Sequence, residues 1–101
     1  MKRVEEVLEQ IPYKPRKILG SDLLRWYNYQ YNGINMNDSK SLLPNGELYA
    51  ITYYLEKERL IERTEEKGKD ESRFYYSRIP RGKKIFAEER TPEGLAEIVI
   101  A

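Results

Sequence analysis

The sequence predicts an α+β fold in which three helices are followed by a β-hairpin. Three observations lead there. Between Asn45 and Arg59 apolar residues recur at helical spacing, at Leu48, Ile51 and Leu55. Past Leu60 the period changes: Ile61, Arg63 and Thr64 lead into a polar tip, Glu65 to Glu71, and then into the aromatic run Phe74, Tyr75, Tyr76. The tip holds Gly68 and Asp70 between two β-prone runs, the pattern of a hairpin of medium loop length over roughly residues 61–78. A helix running almost directly into a charged-tipped hairpin is the second half of a winged helix-turn-helix, a three-helix core with a two- or three-stranded β-wing.

The remaining elements follow in order. Val4, Val7, Leu8 and Ile11 form an apolar stripe on a short first helix. Pro12 and Pro15 end it, because neither can donate to a helical ladder. Ile18 and Leu19 suit a short strand against the wing. Gly20-Ser21-Asp22 opens the second helix, with Ser21 expected as N-cap and Asp22 favourable to the helix dipole. Leu23, Leu24, Trp26 and Tyr27 give it a wide apolar face, Trp26 being expected in the core. Asn32-Gly33 supplies a left-handed stop. From Ile34 to Pro44 the chain reads either as a loop or as a turn of helix around Ser41-Leu42-Leu43.

The third helix is expected over residues 45–59, capped by Asn45, with Leu48, Ile51, Thr52 and Leu55 on one face. Asn45, Tyr49, Ala50, Tyr53 and Lys57 lie on or beside the opposite one. Ile79-Pro80-Arg81-Gly82 then breaks the chain, and Ile85 and Phe86 suit a last short helix. A second break at Thr91-Pro92 separates a domain of residues 1–90 from a tail, 91–101. Leu95, Ile98, Val99 and Ile100 make that tail apolar enough to expect burial, either against its own domain or in a homodimer.

Composition bounds the chemistry. Lys plus Arg and Asp plus Glu nearly cancel, 18 against 17, so gross charge selects no partner. There is no cysteine and no histidine. Disulfides, thiolate catalysis and Cys-ligated zinc are thereby excluded, and the commonest general base and metal ligand is missing. Neither a Gly-rich phosphate loop nor a nucleophile elbow occurs. No enzymatic activity, cofactor or metal is therefore expected. No apolar run approaches the roughly 18 residues of a membrane span. The N-terminus is amphipathic rather than a signal peptide, so a soluble cytoplasmic protein is expected. A charged fraction of 35% with only two glutamines also resembles thermophile usage.

The strongest local charge asymmetry runs from Ser72 to Ala87, where Arg73, Arg78, Arg81, Lys83 and Lys84 occur without an acid. Cations of this density suit phosphates. Lys67 and Lys69 sit among Glu65, Glu66, Asp70 and Glu71, so the hairpin tip is nearly neutral. The third helix offers few of the Arg, Asn and Gln side chains that read base edges. It is instead rich in tyrosine, and six of the nine tyrosines fall on the second and third helices. Exposed tyrosines also serve protein interfaces.

The stretch GELYAITYYLEKERLIERTEE, followed by SRFYYSRIPRGKKIFAEE, resembles winged-helix transcription regulators of the PadR type, and more broadly those of the MarR kind. Their pattern runs from a Gly-x-Leu-Tyr start to a helix ending Leu-Glu-Lys-x-Gly-Leu-Ile, then to a charged wing and a Tyr-containing strand. Gly46, Leu48, Tyr49, Leu55, Glu56, Lys57, Leu60, Ile61 and Glu62 fall on it. Arg59 stands in place of the usual glycine and Thr52 in place of leucine, and the long C-terminal dimerisation helix has no obvious counterpart. The resemblance implies sequence-specific binding of double-stranded DNA by a dimeric transcription regulator. Asn45, Tyr49, Tyr53 and Lys57 would face the major groove, and Arg63, Lys67, Lys69, Arg73 and Arg78 would serve the wing and the phosphates. The rival reading is the same fold used as a protein-interaction module.

Overall fold

The computed structural model describes residues 2–80 and, farther on, the backbone of two short strands. Among the described residues, α1 (Lys2–Gln10) leads through β1 (Ile18–Leu19) into α2 (Gly20–Asn32). A 3-10 turn, Ser39–Leu42, precedes α3 (Gly46–Lys57). The chain continues as β2 (Ile61–Lys67) and β3 (Ser72–Arg78). The last two strands are β4 (Arg90–Thr91) and β5 (Ala96–Glu97), paired antiparallel. The result is an α+β domain: three α-helices beside a three-stranded antiparallel sheet of order β1-β3-β2.

The apolar stripes meet as their periods require. Val7 and Ile11, Leu23 and Tyr27, Leu48, Ile51 and Leu55, and Ile61 form one buried cluster. Each large side chain buried there contributes roughly 1.5–3 kcal/mol before the cost of ordering it. The expectation for Trp26 needs correction. Trp26 packs against this cluster only partly buried, and Tyr27 is the aromatic ring that is fully enclosed. The two rings meet edge to face, with centroids 6.3 Å apart.

The start of α2 also differs from expectation. Strand β1 runs straight into the helix, so Leu19 occupies the cap position and no side chain caps it. Ser21 lies inside the first turn. Gly20 lets the helix begin close against β3: a Cβ at this position would stand a tight 3.3 Å from the Phe74 carbonyl oxygen. The far end behaves as predicted, with Gly33 at φ 68° and its N–H returned to the Tyr29 carbonyl.

Residues 34–44, ambiguous in sequence, are organised by a buried asparagine. Asn28 on α2 is 3% exposed. Its amide group donates to the carbonyl oxygens of Ser41 (2.9 Å) and Leu43 (3.3 Å). Its oxygen accepts from the amides of Asn32 (3.1 Å) and Asn45 (2.9 Å). Ser41 is itself fully buried, and its hydroxyl sits 2.6 Å from the Asp38 carbonyl. The connection is thus a fixed turn with its own polar core.

Helix α3 ends in a Schellman arrangement. The N–H of Leu60 reaches the Leu55 carbonyl and that of Arg59 reaches the Glu56 carbonyl. This requires Arg59 to adopt φ 60°, the left-handed conformation that glycine normally supplies. The hairpin pairs Ile61 with Arg78 through to Lys67 with Ser72. Strand β1 adds to its other side, Ile18 opposite Tyr76 and Leu19 opposite Tyr75, as the sequence suggested.

The short helix expected around Ile85 and Phe86 lies outside the described residues. So do Arg81, Lys83 and Lys84, and the side chains of Leu95, Ile98, Val99 and Ile100. Among the described residues no helix is long and apolar enough to cross a membrane.

Candidate functional site

Burying Leu48, Ile51, Thr52 and Leu55 turns the other side of α3 to solvent. Tyr49 is 70% exposed and Tyr53 61%, with Ala50 and Lys57 exposed between and beyond them. Tyr54, half exposed, flanks this face. The helix carrying these rings is fixed at its N-terminus. The Asn45 side-chain oxygen accepts from the N–H groups of Glu47 (3.0 Å) and Leu48 (3.1 Å), and its amide donates to Asn28. Asn45, expected to face the groove, therefore has its carboxamide engaged in the helix cap.

Glu47, which would otherwise set a free negative charge beside Tyr49, is engaged by two partners. The Tyr27 hydroxyl and the Arg3 guanidinium both donate to its carboxylate. The bond from Tyr27 and the adjacent Arg3 hold the Glu47 carboxyl below its ordinary range. Arg3 also lies 4.3 Å from the centre of the Tyr31 ring. The three helices are thereby joined at the end of α3 that begins the exposed face.

The hairpin stands across from that end. Arg63 lies over the Phe74 ring, 5.1 Å from its centre, and 4.0 Å from the Glu56 carboxylate. Arg73 is 3.3 Å from Glu71. Lys17, from the α1–β1 connection, pairs with Glu66 and covers Tyr75 at 4.3 Å. Lys57, Lys67 and Lys69 make no ion pair with any described residue, although Glu65 and Asp70 lie near the last two in the chain. Arg78 occupies the base of the hairpin. Its Nε donates to the Ile11 carbonyl at 3.1 Å and its guanidinium covers Tyr13. Arg78, expected at the phosphates, ties the end of α1 to β3.

A cleft of about 800 Å³ opens between the starts of α2 and α3 and the hairpin. Asn45, Tyr49, Arg63 and Arg73 line it together, above an apolar floor that includes Leu24 and Phe74. Tyr53 and Lys57 continue along the same helix; Lys67 and Lys69 stand at the hairpin tip. Sequence reasoning missed Asn28 and the engagement of Glu47. The signal for Asn28 was a polar residue four positions from Leu24 on an otherwise apolar stripe; nothing local marked Glu47.

Comparison with protein-family models, with curated proteins and with solved structures gave no match.

Proposed function

We propose that the protein is a winged helix-turn-helix that binds double-stranded DNA, with α3 entering the major groove and the β2–β3 hairpin lying along the phosphate backbone. The observation that carries this reading is the exposed face of α3, rigidly capped and bordered across the cleft by Arg63 and Arg73. Cations beside an exposed helix supply the sequence-independent attraction to phosphate, while the helix supplies contacts to base edges. The acids nearest this surface, Glu47, Glu56 and Glu71, each lie within 4.0 Å of an arginine and repel the backbone less than free carboxylates would. The resemblance to PadR-type regulators supports a role in transcription, as a homodimer in the cytoplasm.

A gel-shift titration of the full chain against random duplex at several salt concentrations tests this. Affinity should fall steeply with salt, with a log–log slope near −0.9 per phosphate contacted. Replacing Arg63 and Arg73 together by alanine should lower that slope by roughly one unit per lost contact. Absence of binding at low salt would overturn the reading and favour a protein-interaction module. That second reading is favoured by the exposed aromatic rings of Tyr49, Tyr53, Tyr54 and Phe74.

A further inference from the structure

Resting on the DNA-binding reading, we infer that the preferred duplex is A·T-rich and is recognised mainly through the C5-methyl groups of thymine, which Ala50, Tyr49 and Tyr53 contact. The side chains on the exposed face of α3 limit which base edges it can read. Guanine is read chiefly by arginine or lysine reaching O6 and N7. The outward face carries one cation, Lys57, in the last turn, whereas a helix entering a groove leads with its first turns.

Adenine is read by a bidentate asparagine or glutamine. The only such side chain at the start of α3 is Asn45, whose oxygen already accepts two backbone N–H groups and whose amide donates to Asn28. Cytosine N4 calls for a carboxylate acceptor, and Glu47 is engaged by Tyr27 and Arg3. What remains on the first three turns is mainly apolar surface, the Ala50 methyl and the rings of Tyr49 and Tyr53, 70% and 61% exposed, each ring ending in a hydroxyl. The only base feature in the major groove that rewards apolar contact is the thymine methyl.

Charge complementarity argues for a duplex rather than an apolar protein as the occupant of this face. Lys57 follows the rings along α3, and Arg63 and Arg73 border the cleft beside Tyr49. The hairpin adds Lys67 and Lys69 at its tip. Lysines there suit the narrow minor groove of A-tracts, whose negative potential is enhanced.

The test uses fluorescence anisotropy with three duplexes of equal length at one salt concentration: G·C-rich, A·T-rich, and the same A·T-rich sequence with deoxyuridine replacing every thymidine. The last differs only by the missing methyls. The A·T-rich duplex should bind best, and uridine should weaken binding by about fourfold per methyl contacted. Tyr53→Ala should shrink the thymidine–uridine difference while leaving the salt slope unchanged; Tyr53→Phe should preserve both. Salt-dependent binding that ignores the methyl, or that prefers the G·C-rich duplex, overturns the inference and leaves DNA binding standing. No binding to any of the three at low salt overturns both.

Discussion

Arg59 and Asn28 show how far single residues set this architecture. At φ 60° the Arg59 backbone is in a region that costs an L-residue with a side chain roughly 1–2 kcal/mol, while glycine enters it freely. Glycine also loosens the unfolded chain, which removes part of the gain. Arg59→Gly should therefore raise stability by about 1 kcal/mol, seen as a higher urea midpoint with unchanged slope. A variant of equal or lower stability would show that the Arg59 side chain supplies a compensating contact. Asn28 is the opposite case. Its removal leaves the carbonyls of Ser41 and Leu43 and the amides of Asn32 and Asn45 without their partner. Asn28→Ala should cost about 2–4 kcal/mol in the same experiment, far more than an exposed Asn→Ala change.

At the scale of elements, periodicity made α1 and α3 legible, because each has one buried face whose residues recur at the helical period. The hairpin was legible from its polar, glycine-bearing tip between two β-prone runs, since it is buried only near its base. Leu48, Ile51, Thr52 and Leu55 needed nothing beyond the helical repeat, and β1 followed from two apolar residues placed before a helix. The start of α2 was misread for a physical reason. Ser21 looked like a cap because local preference favours it, but pairing of β1 with β3 pulls helix and strand into direct continuity, and tertiary contact outranked the local preference. The turn between α2 and α3 was not legible, since it depends on an asparagine 13 residues away in sequence from Ser41. The candidate site divides along the same line. Tyr49, Tyr53 and Lys57 follow from the helical wheel. The engagement of Asn45 and Arg78 depends on partners supplied by distant segments.

At the scale of the whole molecule, two hydroxyl–carboxylate contacts bind the helices together, Tyr27 to Glu47 and Tyr31 to Glu6. Burial of the Tyr31 phenol, with Glu6 beside it, raises its pKa from 10.0 to about 12. A raised folded-state value means that the folded protein holds this proton more tightly than the unfolded chain. The contribution is complete below the unfolded value of 10.0 and is lost as pH rises through 12. Thermal unfolding between these limits should show the intact protein losing stability faster than Tyr31→Phe, and parallel curves would assign the bond no stabilising role. The tail belongs to the same scale. Truncation after Arg90 should convert the proposed dimer to a monomer in sedimentation, without loss of the helical signal. A full-length monomer, or a truncated form that remains dimeric, would remove the tail from the assembly.

Among the described residues, the strand order β1-β3-β2 leaves β2 on the rim of the sheet, with a row of backbone donors and acceptors that no described strand pairs. Its charges decide which registers a second copy of itself could adopt against it. Antiparallel self-pairing centred on Thr64 would set Glu62 against Glu66 of the second copy. Centred on Glu65, it would oppose the two Glu65 side chains and set Arg63 against Lys67; centred on Arg63, it would oppose two arginines. Registers centred on Arg63 or Glu65 place like charges directly across the seam, which is destabilising, whereas in the Thr64 register the repulsion of Glu62 and Glu66 is offset by Arg63 facing Glu65. The charges that make the hairpin polar therefore also work against two of the three registers in which this edge could pair with a second copy of itself.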